Sequence, residues 1–253
     1  MIVHALEAQA FGTNCYVIAA DAGAECVIVD PGVGVADRVS RLLKRQRLTP
    51  AAVLLTHGHL DHVYDLPLVV GAAPGRPAAH IHPEDRYRLR NPAGDLDPAF
   101  VTMIEAQLGS RAVWHEPEVV VELAPSCTTG ARAPGVMATL SVAGLDISVT
   151  HAPGHTEGSV VFGFDEVPEG PVHPAGSQSE PPLQRTVLSG DVLFAGAIGR
   201  TDLPGGDPAA MTRSLRDVVL AWPDSTLVLP GHGPATTMAR ERTSNPFLRG
   251  RLV

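Results

Sequence analysis

Four residues able to bind a metal crowd one short stretch, LLTHGHLDH at 54–62, where His57, His59, Asp61 and His62 follow directly on an apolar run. Imidazole and carboxylate are the expected ligands of zinc and non-haem iron. On an extended segment the two histidines of an HxH pair point to one side, while Asp61 and His62 begin the next turn and point elsewhere. Nine residues alone do not say whether such a run holds one ion, two or none. The rest of the chain repeats the underlying pattern: a short apolar run, a small or turn residue, then a possible ligand. ISVT leads through HAPG to His155, TVLS through Gly190 to Asp191, and LVLP through Gly231 to His232. Glycines at 58, 154, 190, 231 and 233 would let the chain turn tightly enough for these side chains to converge. His151, four residues before His155, is expected to support the site rather than ligate, because a tight turn of this kind delivers one side chain. His4, His80, His82, His115 and His173 have no such context and are expected to be ordinary surface or core residues.

The elements that must position these groups alternate between strand and helix. Short strands are expected at Val3 to Leu6, Cys15 to Ile18 and Cys26 to Val29, the last ending at DPG, a turn signal. A helix over 35–46 and the strand AAVLL lead into the cluster. Beyond it, VYDLPLVV reads as helical or irregular, AAHIH as a strand, and PEDRYRLR as a helix with proline at its first position. DPAFVTMIEAQLG is expected to be a helix capped by Asp97. VVVEL, TLSVAGLDISVT, SVVFGF, TVLSGD and TLVLPGHG read as strands, with a helix over 208–221 capped by Asp207 between the last two. Alternation of this kind predicts a layered α/β fold, with antiparallel portions where strands follow one another directly. In such folds, sites gather outside the carboxyl ends of strands. APSCTTGARAPG at 124–135 and the proline-rich 165–185 interrupt the order, the second as an over-long hairpin connection.

Composition bounds the partners. A chain of 253 residues, 44% hydrophobic, can bury a full core, and one domain over 1–253 is expected, with insertions at about 83–135 and 165–185. No apolar run approaches the ~18 residues of a membrane span, and the N-terminal stretch lacks the marks of a signal peptide, so a cytoplasmic location without a membrane partner is expected. Net charge is −8, which argues against a nucleic-acid partner and leaves a small-molecule substrate. The basic stretch DRVSRLLKRQR carries Val39, Leu42 and Leu43 at helical spacing, so its charges form a solvated helix face. Three cysteines, Cys15, Cys26 and Cys127, show no CxxC spacing and are expected to be neither disulfide-bonded nor metal-binding. Oligomeric state is not legible.

The motifs VDPG, THGHLDH, HAPGHTEGS, SGDVLF and PGHGP, in that order, resemble the metallo-β-lactamase superfamily from about Thr13 to Leu248. The resemblance implies a four-layer αββα sandwich of two mixed β-sheets, with a metal centre at one edge of the sheets. It implies His57, His59 and His155 at a first site, Asp61, His62 and His232 at a second, and Asp191 between them. Seven ligands exceed the needs of one four-coordinate zinc with an open position and suit two ions sharing a carboxylate and a water. A dinuclear zinc hydrolase is therefore expected, its shared hydroxide attacking a thioester or related ester, with Asp61 as the catalytic residue that orients it and moves its proton.

Within the superfamily, SGDVLFAGAIGRTDLPGG and PGHGPATTMARERTSNPFL look closest to the glyoxalase II-like branch, the hydroxyacylglutathione hydrolases. Many secreted zinc β-lactamases have a cysteine in place of Asp191 or lack the bridging carboxylate, so antibiotic hydrolysis is not expected. Only 21 residues follow His232, without the helical region that helps full-length glyoxalase II hold glutathione, so the physiological thiol need not be glutathione. Persulfide dioxygenases share the GRTD stretch. A mononuclear Fe2+ sulfur dioxygenase using His57, His155 and Asp191 is the alternative, with a mixed Zn/Fe centre or a lactonase of the same fold as further ones. Arg200 and Asp202 are expected to form an ion pair or turn near the site.

Overall fold

The structure, a computed structural model, describes residues 1–94, 96, 101–102, 106, 114–123, 135–169 and 182–249. Of the expected features, most of the helix at 97–109, nearly all of 124–135, most of 165–185, and Cys127 and His173 lie outside them. The first sheet runs in spatial order β1 (Ile2–Glu7), β2 (Asn14–Ala19), β3 (Glu25–Val29), β4 (Thr49–Leu54), β5 (Ala78–Ile81) and β6 (Val120–Glu122). Its first two pairings are antiparallel and its last three parallel. The second sheet is built from β7 (Val136–Val142), β8 (Leu145–His151), β9 (Val160–Phe164), β10 (Arg185–Gly190), β13 (Thr226–Pro230) and β14 (Thr236–Thr237), and β11 (Leu193–Phe194) and β12 (Ala197–Ile198) form a separate small ribbon. Among the described residues only β10 and β13 pair in parallel in the second sheet. The long connection around 165–185 does join an antiparallel pair, with Thr186 opposite Phe164.

Strict alternation along the strands makes both sheets two-faced. Tyr16, Ile18, Val27, Val29 and Leu54 point between the sheets and meet Ile147, Val149, Phe162, Leu188 and Leu229 of the second. Their odd-numbered or even-numbered neighbours, Cys15, Val17, Cys26, Ile28 and Val53, face the other way, onto α1 (Ala36–Gln46), α2 (Leu60–Val63) and α3 (Leu66–Ala72). On the far side, Val161, Val187 and Val228 pack on Met211 and Leu215 of α4 (Pro208–Asp217) and on Met238 of α5 (Met238–Ser244), with α6 (Pro246–Arg249) supplying Leu248. The result is helix, sheet, sheet, helix. Full burial of a side chain such as Phe162 contributes about 1.5–3 kcal/mol, and layers of this kind leave free only the sheet edges and strand ends.

Local signals explain the element ends. Asp207 accepts hydrogen bonds from the Ala209 and Ala210 amides at 2.8 and 3.1 Å, with Pro208 in the first turn of α4. In α1, Val39 and Leu42 are buried and the basic side chains lie outside. Cys15 and Cys26 are buried and free, and burial raises both thiols, Cys26 to about 12. PEDRYRLR forms a 3₁₀ helix, Pro83–Arg90, rather than an α-helix. Three residues per turn bring Asp85 and Arg88 onto one buried face, and that face meets the metal-ligand loops. Among the described residues no helix is long and apolar enough to cross a membrane.

Candidate metal centre

Four strand ends, one from the first sheet (β4) and three from the second (β8, β10 and β13), open onto one place. His57 and His59 follow β4 in extended backbone, and His59 is the N-cap of α2, so Asp61 and His62 fall in its first turn. His155 follows β8, Asp191 follows β10, and His232 follows β13. All seven residues marked by type and spacing come together. His59 Nδ1 lies 3.1 Å from His57 Nε2 and 2.9 Å from His155 Nε2. His62 Nε2 lies 3.2 Å from His232 Nε2, and His232 Nε2 is 3.2 Å from Asp61 Oδ2. Asp191 reaches both groups: Oδ2 is 3.5 Å from His155 Nε2 and from His232 Nε2, and Oδ1 is 3.3 Å from His62 Nε2.

The Thr56 hydroxyl donates to Asp30 Oδ2 at 2.6 Å, so it must accept from His57 Nδ1–H at 3.1 Å. His155 Nδ1–H donates to the Arg200 carbonyl at 2.8 Å. A neutral imidazole has one N–H, so the Nε2 atoms of His57 and His155 are both bare lone pairs aimed at His59 Nδ1, which can offer at most one proton. Lone pairs at this spacing suit a shared cation. A tetrahedral zinc with Zn–N bonds of about 2.0–2.1 Å would separate its nitrogens by about 3.3 Å. In the second group His62 Nδ1–H donates to Asp30 Oδ2 at 2.9 Å, again turning Nε2 inward. The buried Asp191 Oδ1 has no hydrogen-bond partner. The donor set fits a metal centre.

Electrostatics separate the halves. Burial, then neighbouring imidazoles, push His57 far below the usual histidine range and His59 to about 3, and burial also lowers His155. These three are neutral, as metal ligands must be. Burial would also lower His62 and His232, but carboxylates outweigh it: Asp191 and Asp61 hold His62 well up, and Asp61 and Asp191 raise His232. Despite burial, the same histidines keep Asp61 and Asp191 ionised. Negative charge is thus built into the second group.

Several residues that the spacing pattern did not mark hold the ligands. Asp30, read from the sequence as part of a DPG turn, is buried and accepts from the Thr56 amide, the Thr56 hydroxyl and His62. Its position at the end of a buried strand, like the ligands themselves, was the available signal. Asp85 accepts from the Gly58 amide at 2.7 Å, the Thr156 hydroxyl at 2.8 Å and the Gly158 amide at 2.9 Å, fixing the HGH and HAPGHTEG loops to each other. Thr13 Oγ1 donates to Asp61 Oδ2 at 3.1 Å. Gly231 lies so near the centre that a Cβ there would be 2.1 Å from Asp191 Oδ1, and Gly190 holds φ 49° against Thr56. Arg200 and Asp202 form the expected exposed ion pair, at 2.7 Å.

His151 stays out of the centre. Its ring stacks on His82 at 4.1 Å, and its Nε2 donates to the Glu157 carbonyl at 2.8 Å. Glu84 is near both rings, but His82 Nδ1 already accepts the Glu84 amide, and stacked rings direct their in-plane lone pairs side by side rather than at a common point. These histidines cap and pack the 3₁₀ helix.

Comparison with known proteins adds the relatives. Residues 8–232 match the family model of the metallo-beta-lactamase superfamily. An uncharacterized protein of Mycobacterium tuberculosis is 41% identical over 250 residues, 99% of each chain. The hydroxyacylglutathione hydrolase GloC of Haemophilus influenzae is 29% identical, over 99% of this chain and 100% of its own. Two solved structures, the BLEG-1 B3 metallo-beta-lactamase and TTHA1623 in a di-iron-bound form, align with TM-scores of 0.71 and 0.67 at 31% and 30% identity, covering 98% and 97% of this chain and 100% of theirs.

Proposed function

The chain belongs to the metallo-beta-lactamase superfamily, and from that premise we propose that it is a dinuclear metal hydrolase of thioesters or related esters, of the glyoxalase II-like branch. One observation carries the reading: two groups of inward-turned ligands, His57, His59 and His155 against Asp61, His62 and His232, share Asp191 between them. The first three residues would hold one ion, the second three another, with Asp191 bridging. Two bound zinc ions supply Lewis acidity and lower the pKa of water to about 7.

The chain's own groups do the rest. Asp30 and the Arg200 carbonyl keep the imidazoles in the tautomer that presents Nε2 inward. Asp61 stays ionised and is oriented by the Thr13 hydroxyl, so it can accept a proton from a nucleophilic water and return it to the leaving group. Asp85 and Gly58 hold the HGH loop rigid, so the geometry costs no rearrangement as charge develops. GloC, matched over its whole length, carries the hydroxyacylglutathione hydrolase name on a chain of this extent, which supports a thioester. The BLEG-1 likeness calls for a β-lactam as a control in the assay panel, and the di-iron form of TTHA1623 supports two ions, with iron as the alternative metal.

Metal analysis of protein purified without added metal, with a panel of S-lactoylglutathione, simple esters, lactones, a phosphodiester and a β-lactam, tests the reading. Expected are two metal ions per chain, thioester or ester hydrolysis, and a loss of at least about a hundredfold in kcat/KM for Asp191→Ala. One iron per chain with persulfide-dependent oxygen uptake would replace it with the dioxygenase.

A further inference from the structure

A small apolar pocket of about 100 Å³ opens beside the metal centre, with His59 and Asp61 in its lining and Phe11, Leu60, Leu96 and Leu203 among its walls. Arg88, also on the wall, is committed to Glu157 Oε2 at 2.9 Å and the Pro204 carbonyl at 2.8 Å, so its charge is already matched.

Phe11 is held there against its own preference. Its φ is 65°, in the left-handed region that a bulky residue rarely adopts, and the residue is 43% exposed. Neighbouring contacts enforce the conformation: the Ala8 amide bonds the Thr13 carbonyl at 2.7 Å, the Ala10 amide bonds the Val33 carbonyl at 3.3 Å, and Thr13 is tied to Asp61. Backbone strain of this kind clusters at active sites and ligand clamps, and here it falls on an exposed aromatic whose loop is tied to a proposed metal ligand.

Resting on the hydrolase reading, we propose that this pocket receives the acyl part of the substrate, and that Phe11 and Leu203 limit it to a short, uncharged chain. Size decides the assignment. An apolar cavity of about 150 Å³ holds a benzene ring, so this smaller pocket has room for a chain of about three to four carbons. A peptide thiol or other large leaving group cannot enter it and must lie outside, over the exposed face of Phe11. The pocket touches His59 of one ligand group and Asp61 of the other, so a carbonyl poised between the groups would direct its short chain inward.

Two readouts on zinc-loaded protein separate this proposal from the hydrolase reading. Calorimetric binding of acetate, butyrate, hexanoate and octanoate is expected to peak at butyrate and weaken at least tenfold by octanoate. In Phe11→Ala and Leu203→Ala the octanoate-to-butyrate ratio is expected to rise at least fivefold, and kcat/KM for the matching p-nitrophenyl esters to follow the same order. Leu203 has no backbone strain, so its variant stays informative if Phe11→Ala unfolds. Affinity that climbs steadily to octanoate, absence of butyrate binding, or an unchanged ratio in both variants overturns the proposal. A length limit in binding without hydrolysis of any ester or thioester leaves the pocket standing and sinks the hydrolase; hydrolysis without a length limit does the reverse.

Discussion

Asp30 carries more of the centre than a turn residue would. Set in left-handed backbone at φ 50° directly after β3, its carboxylate takes three donors, two from Thr56 and one from His62, and through Thr56 it fixes His57 as well. One buried charge therefore sets the tautomer of a ligand in each group. Asn tolerates the same backbone but replaces one acceptor oxygen with a donor and removes the charge. Asp30→Asn is expected to fold and to lose about 10–100-fold in metal affinity, read by competition with a chelator of known strength. Unchanged affinity would reduce Asp30 to a turn residue.

The 3₁₀ helix Pro83–Arg90 is the element that makes two separate ligand loops into one site. Asp85 joins Gly58 to Thr156 and Gly158, while His82 caps the helix and stacks on His151. Burial, then the neighbouring His151, lower His82 from 6.5 to about 4. The folded protein thus keeps His82 neutral where the unfolded chain would take up a proton. The stability this gives is full above pH 6.5 and lost as pH falls toward about 4. His82→Asn keeps an acceptor for the Glu84 amide without titrating, so its thermal midpoint should fall less steeply than the wild type's between those pH values. Parallel profiles would show that His82 does not contribute to acid sensitivity.

At the scale of the molecule, the centre joins the two sheets. His57, His59, Asp61 and His62 hang from the first sheet, and His155, Asp191 and His232 from the second. Direct bonds cross at the same edge: the Asn14 amide to the Gly231 carbonyl at 2.7 Å and the Tyr16 hydroxyl to the Pro230 carbonyl, also 2.7 Å. Ions held by both sets would cross-link the sandwich. Chelation is expected to lower the thermal midpoint and zinc to restore it. Zinc at about a thousand times its Kd would contribute about 4 kcal/mol, measured as a midpoint that rises with the logarithm of zinc concentration. A midpoint indifferent to zinc would place the ligands outside any cross-link.

Most strands and helices, and the seven candidate ligands that the fold gathers in one place, were legible in the chain, because alternation and strand-end spacing are local properties. Asp207 at its cap and the HGH pair on extended backbone needed no tertiary information. Asp30 and Asp85 looked like turn and helix residues, since their partners lie 26 to 73 positions away. The resemblance suggested which ligands share an ion, but the chain alone could not place Asp191 against both groups or put Phe11 at the mouth of a pocket. Those depend on how two sheets pack, and packing brings together side chains with no sequence relation to one another. Residue type and local spacing determined the chemistry available to this protein; the tertiary structure decided where its protons, charges and empty space lie.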